Sequence, residues 1–88
     1  MNYKLIKPIE FAGEKKESVE IKEKGNAGDF IEIQNAGSKE GDRCCRQVAI
    51  AIDWPDPQVR ELGMEDFMNI LTKTNTFFPQ TAATKKDS

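Results

Sequence analysis

Leu62 to Phe78, LGMEDFMNILTKTNTFF, most restricts how this chain can fold, because it carries a complete helix signature. Met64, Phe67, Met68 and Leu71 recur at helical spacing, and Ile70, Thr74 and Phe78 widen the apolar stripe. Glu65, Asp66, Asn69, Thr72, Lys73 and Thr76 are expected on the opposite, solvated face. Gly63 can serve as N-cap, and Glu65 and Asp66 put negative charge in the first turn, where the helix dipole favours it. Pro79 lacks a backbone N–H and restricts Phe78 before it, so the helix stops there. A core helix accounts for this periodicity. Phe67, Phe77 and Phe78 still carry much apolar surface for a small chain, which leaves part of it for a partner.

Such a helix needs a surface to pack on, and the front of the chain supplies one. Residues 3–10, YKLIKPIE, alternate in part, and Pro8 confines them to an edge strand or ends the ladder there. Ala12-Gly13-Glu14 reads as a turn, after which Val19 and Ile21 alternate against Ser18, Glu20 and Lys22. The spacing predicts a β-hairpin with one apolar face. A lone hairpin is unstable in water, so that face must cover the helices that follow.

Beyond the Gly-containing linker 24–28, Asp29 to Ala36 fits either an alternating strand or a short helix capped by Asp29. Ala27, Phe30, Ile31 and Gln34 fall at helical spacing and favour the helix. Asp42 to Ile52, DRCCRQVAIAI, predicts a second helix capped by Asp42. Its core face would hold Cys44, Val48, Ala51 and Ile52, flanked by Cys45 and Ala49, with Arg43 and Arg46 outward. Asp53-Trp54-Pro55-Asp56-Pro57 breaks that helix, leaves Trp54 half-buried between helices, and starts one helical turn over Gln58 to Leu62. The polar stretch 80–88, QTAATKKDS, is expected to be a disordered tail. The sum is an α+β fold: one small domain over residues 1–79, with an N-terminal β-hairpin packed on three to four short helices.

Composition narrows the function. Eighty-eight residues hold one core and bury only about 60% of the unfolded surface, so a homo-oligomer would add stability. A net charge of −2 and a pI near 5.1 speak against nucleic acid, whose phosphates call for clustered Lys and Arg. No apolar run is long enough to span a membrane. The opening MNYKLIKPIEFAG has no export signature, which points to an intracellular protein.

Histidine is absent, which removes the commonest general base, the commonest metal ligand and any Ser-His or Cys-His pair. Cys44 and Cys45 are adjacent, unlike any C-x-x-C motif, and read as free thiols with Cys44 in the core. The carboxylate pairs Glu65/Asp66 and Asp53/Asp56 do not converge, because adjacent helical side chains diverge and the loop pair is exposed. The expectation is a non-enzyme without cofactor or metal.

In the order of its elements the sequence resembles the small tail assembly chaperones of Mu-like and related contractile-tailed phages, the tail protein E family. The matching residues are YKLIKPIEFAGEKKESVEIKE, similar to the family's "KPIEF-G" strand, turn and strand. NAGDFIEIQNA looks like its entry into a first helix, and LGMEDFMNILTKTNTFF is similar to its "L-x-x-x-D-F" final helix. The resemblance covers roughly residues 3 to 78. SKEGDRCCRQVAIAIDWPDPQ departs from it, with two cysteines and a Trp where the family has a Leu- and Ala-rich helix.

The resemblance implies a chaperone in the host cytoplasm that keeps the tape-measure protein soluble while tail-tube subunits polymerise around it. Its partners would be the tape-measure protein and the tail-tube protein, captured by helix-in-groove contact. Phe67, Met68, Leu71, Phe77 and Phe78 are the expected contact residues, with Phe67 mostly core and Phe77, off the main stripe, mostly contact. Two other readings stay open: a DNA-binding or regulatory module using Arg43 to Ile52 as recognition helix, and a structural tail component retained in the virion.

Overall fold

The structure, a computed structural model, describes residues 1–77. Strands β1 (Asn2–Phe11) and β2 (Glu14–Glu20) are followed by helices α1 (Ala27–Gln34), α2 (Glu40–Ile52), α3 (Asp56–Val59) and α4 (Met64–Phe77). The expected α+β architecture is present, with a two-stranded antiparallel hairpin on four helices. Phe78, Pro79 and the tail read as disordered lie outside the described residues.

The hairpin closes through Ala12 and Gly13, at φ 57° and 77°, with Phe11 opposite Glu14. Positive φ at both loop residues gives the turn a twist that matches the twist of the strands. Near the turn Ile9 pairs with Lys16, whereas at the open end Tyr3 pairs with Val19 and Lys4 with Ser18. Between these pairs β1 runs through Leu5, Ile6, Lys7 and Pro8 while β2 offers only Glu17. Pro8 therefore does not end the strand: it sits in a bulge, where its missing N–H costs no ladder bond, and pairing resumes at Ile9.

Helix α1 settles the ambiguous segment as a helix. Its cap is Asn26 rather than Asp29: the Asn26 side chain accepts from the Asp29 N–H at 2.9 Å, and the Asp29 carboxylate accepts from the Asn26 N–H at 3.1 Å. This reciprocal capping box satisfies two otherwise orphaned donors. Only Ile33 of α1 is buried, and Phe30 and Ile31 remain exposed.

Helix α2 is the central element, packed against α1, α3, α4 and β2. It starts at Glu40, with Lys39 at the N-cap and no side-chain cap. Asp42 thus lies inside the first turn instead of capping it, where its charge still favours the dipole. The buried face is Cys45, Gln47, Val48, Ala49, Ala51 and Ile52. Cys45 rather than Cys44 is the core cysteine, and Cys44 is half-buried. Starting two residues earlier does not rotate the face; the face follows its partners, since α4 and α1 flank α2 and draw Gln47 and Ala49 inward.

Leu5, Val19 and Ile21 carry the hairpin's share of the core, joined by Ile33, α2, Val59, Leu62 and Ile70. The Lys22 N–H donates to the Ala51 carbonyl at 2.7 Å and ties the end of β2 to α2. Trp54 is half-buried against this core, as its position between helices requires. Helix α4 holds the main correction. Its buried residues are Asp66, Ile70 and Thr74, with Phe67, Leu71 and Phe77 half-buried beside them. Met64 is 83% exposed and Met68 50% exposed. The apolar stripe read from spacing is therefore only the flank of the packed face, because β1 presents backbone donors there and an acid meets them.

Candidate functional site

Asp66 binds the hairpin to α4. Its Oδ1 accepts from the Tyr3 hydroxyl at 2.8 Å and from the Ile6 N–H at 2.9 Å, and its Oδ2 accepts from the Lys7 N–H at 2.9 Å. Asn69 Nδ2 donates to the Tyr3 oxygen at 3.0 Å and completes the cluster. The bulge in β1 explains the geometry: it frees the Ile6 and Lys7 N–H groups from the ladder and turns them toward the carboxylate. Burial pushes the Asp66 pKa up, but the Ile6, Lys7 and Tyr3 donors outweigh it and hold the carboxyl below its ordinary value. Burial raises the Tyr3 phenol, partly offset by the Asn69 bond and reinforced by the Asp66 charge. Asp66 is thus ionised at neutral pH, 1% exposed, and held by three donors as a structural acceptor.

A second polar contact joins α2 to α4. Gln47 Nε2 donates to Thr74 Oγ1 at 2.6 Å and to Asn75 Oδ1 at 2.9 Å, and Thr74 Oγ1 donates on to the Leu71 carbonyl at 2.7 Å. Both networks fix α4 by the face that carries Asp66, Ile70 and Thr74. The Met64 and Met68 side of the helix is left free of the core.

On that free side an open groove of about 350 Å³ runs between the start of α2, α3 and the start of α4. Its lining is Gly41, Cys45, Val59, Arg60, Leu62, Met64 and Phe67. The two walls come from elements well apart in the chain, so no single stretch of sequence announces the groove. Of the residues expected at a contact surface, Phe67 lines it. Met68, one helical turn beyond Met64, is exposed, and Leu71 is half-buried against the core. Phe77 is half-buried and packed on the core, and Phe67, packed on the core as expected, also lines the groove. Phe78 lies outside the described residues. Sequence reasoning missed Asp66, Met64 as a groove residue, and the wall formed by Cys45, Val59 and Leu62.

The remaining chemistry is quiet. Burial pushes both the Cys44 and Cys45 thiols up, with Glu40 and Asp56 respectively adding to the rise, so both stay protonated and weakly nucleophilic at neutral pH. Among the described residues no group of His, Cys, Asp and Glu is gathered to hold a metal ion. None of the described helices is long and apolar enough to cross a membrane. Both arginines of α2 are tied internally: Arg46 Nη2 lies 3.2 Å from Asp56 Oδ2, and Arg43 Nη1 donates to the Gly37 carbonyl at 3.2 Å. The chain matches no family model, no curated protein and no solved structure.

Proposed function

We propose that this chain is a non-catalytic phage tail assembly chaperone of the host cytoplasm that binds apolar helical segments of a tape-measure protein during tail morphogenesis. The observation that carries the reading is the apolar surface α4 leaves outside the core: Met64 and Met68 are exposed and Phe67 and Leu71 only half-buried, beside an open groove. Two flexible thioethers next to an aromatic ring form an adaptable surface for helices of varied sequence. The resemblance of the opening hairpin and the final helix to tail protein E supports the same assignment. The DNA-binding alternative is weakened by the internal pairing of Arg43 and Arg46. A gel shift at low salt tests it directly.

The decisive experiment co-expresses the tagged chain with a phage tape-measure protein. Met64→Asp with Met68→Asp should abolish co-purification of the soluble tape-measure protein, and Lys15→Asp, at an exposed position on β2, should leave it intact. Retention of the complex in the double variant refutes the assignment. Detection of the chain in purified virions by mass spectrometry would make it a structural tail component instead.

A further inference from the structure

We infer that a second groove, at the end of α2, seats an arginine side chain presented by a protein partner. The groove holds about 510 Å³ and lies between Glu20 and Lys22, at the end of β2, and the last turn of α2 with Asp53 and Trp54. Its two walls are fastened to each other, because the Lys22 N–H donates to the Ala51 carbonyl at 2.7 Å, so the groove is formed before anything enters it. Ile50 and Trp54 line it and are half-buried, which gives an apolar and aromatic surface for the methylenes of a long side chain. It shares no lining residue with the groove beside α4, so the inference does not depend on the chaperone reading.

The charge of the occupant follows from groups that line the groove or touch its lining. Glu20 and Asp53 are carboxylates in the lining, and both are exposed. Among the described residues Asp53 makes no ion pair. Glu20 accepts from the Met1 ammonium at 2.8 Å, but Glu23 holds the same ammonium at 3.1 Å, so one cation serves two acids. Lys22, the one cation in the lining, lies 2.9 Å from Asp29, which offsets its charge. The last turn of α2 carries no basic residue, so the negative end of the helix dipole is uncompensated in the same place. Of the aromatic side chains, tryptophan attracts cations most strongly. Arginine answers all of these features: a guanidinium stacks on aromatic rings, donates to carboxylates through a planar fork and keeps its charge at any ordinary pH. A phosphate or an acidic segment meets repulsion there.

The test titrates two peptides into the full-length chain, acetylated and amidated Ala-Leu-Arg-Leu-Ala and the same peptide with uncharged citrulline in place of arginine. Calorimetry gives the affinities. The chain has a single tryptophan, so Trp54 emission reports whether a peptide enters this groove. At low salt the arginine peptide should bind about tenfold more tightly than the citrulline peptide and shift the Trp54 emission, and the gap should narrow as salt rises. Asp53→Asn should weaken the arginine peptide about threefold, and Asp53→Asn with Glu20→Gln about tenfold, with the citrulline peptide unaffected by either. Both positions are exposed, and asparagine tolerates the left-handed backbone of Asp53, at φ 59°. Circular dichroism verifies that each variant folds. Equal affinities, a citrulline preference, tighter arginine binding without a change in Trp54 emission, or no binding of either peptide overturns the inference. So does a homodimer in sedimentation that Asp53→Asn with Glu20→Gln dissolves, which makes a second copy the occupant. A rise of about tenfold in arginine-peptide affinity when Lys85 and Lys86 are both changed to Ala overturns it too, in favour of the chain's own C-terminal segment.

Discussion

Asp66→Ala probes the joint between hairpin and helices. The carboxylate is 1% exposed and holds three donors at 2.8 to 2.9 Å, two of them backbone N–H groups of β1. Hydrogen bonds to an ionised acceptor contribute about 1.5–3 kcal/mol each. The three share one carboxylate and do not add independently. Ile6 and Lys7 also lie on an exposed bulge, where water takes over part of their bonding once the acid is gone. A loss of about 3–4 kcal/mol follows. A domain of 88 residues has about 4–13 kcal/mol in total, so urea denaturation followed by circular dichroism should show a much lower midpoint, and Tm should fall by about 15–25 °C. Asp66→Asn keeps an acceptor for Tyr3 and Ile6 but sets its amide against the Lys7 N–H, and should lose about 2 kcal/mol. The pH dependence has a definite sign. The native carboxyl titrates below its ordinary value of 3.8. Its contribution is therefore complete above the unfolded-state pKa and disappears as pH falls through the lower native value. The stability gap between wild type and Asp66→Ala should accordingly begin to narrow below about pH 4 and go on narrowing as pH falls through the lower native value. An Asp66→Ala variant within about 0.5 kcal/mol of wild type at neutral pH refutes the reasoning.

The partition of α4 gives a paired prediction: Ile70→Ala, at a position 0% exposed, should cost about 2–5 kcal/mol in chemical denaturation, whereas Met68→Ala, at 50% exposed, should stay within about 0.5 kcal/mol. Gln47→Ala removes the α2–α4 link to Thr74 and Asn75 and should cost about 1–3 kcal/mol by the same assay, with little change in the slope of the transition. Ala12 occupies the left-handed region at φ 57°, where a Cβ is strained by about 1–2 kcal/mol. Ala12→Asn, a residue at home there, should raise Tm by several degrees, measured calorimetrically.

What could be read from the chain and what could not divides along a physical line. Local signals worked for the hairpin, the helix after the Gly-containing linker and the start of α4, whereas the turn of α3 lies at Asp56–Val59 with Pro55 as N-cap, two residues before the expected Gln58 to Leu62. Facing failed where a partner decided it. Spacing alone ranks Met64 and Met68 with the core because they are apolar and periodic, yet a helix buries whichever face its neighbour completes. Here the neighbour is a bulged strand with two unpaired N–H groups, and the acid at Asp66 satisfies them better than any methionine could. One trace of this was present in the sequence. Pro8 interrupts the β1 ladder, and an interrupted ladder next to a core must find acceptors elsewhere. Tyr3 and the acids of the final helix were the nearest candidates by chemistry, though nothing local fixed which one. The same displacement has a functional consequence. By taking the core face for Asp66, Ile70 and Thr74, the hairpin pushes Met64 and Met68 outward beside Phe67, and the apolar surface available to a partner exists because a polar latch occupies the place it would otherwise fill.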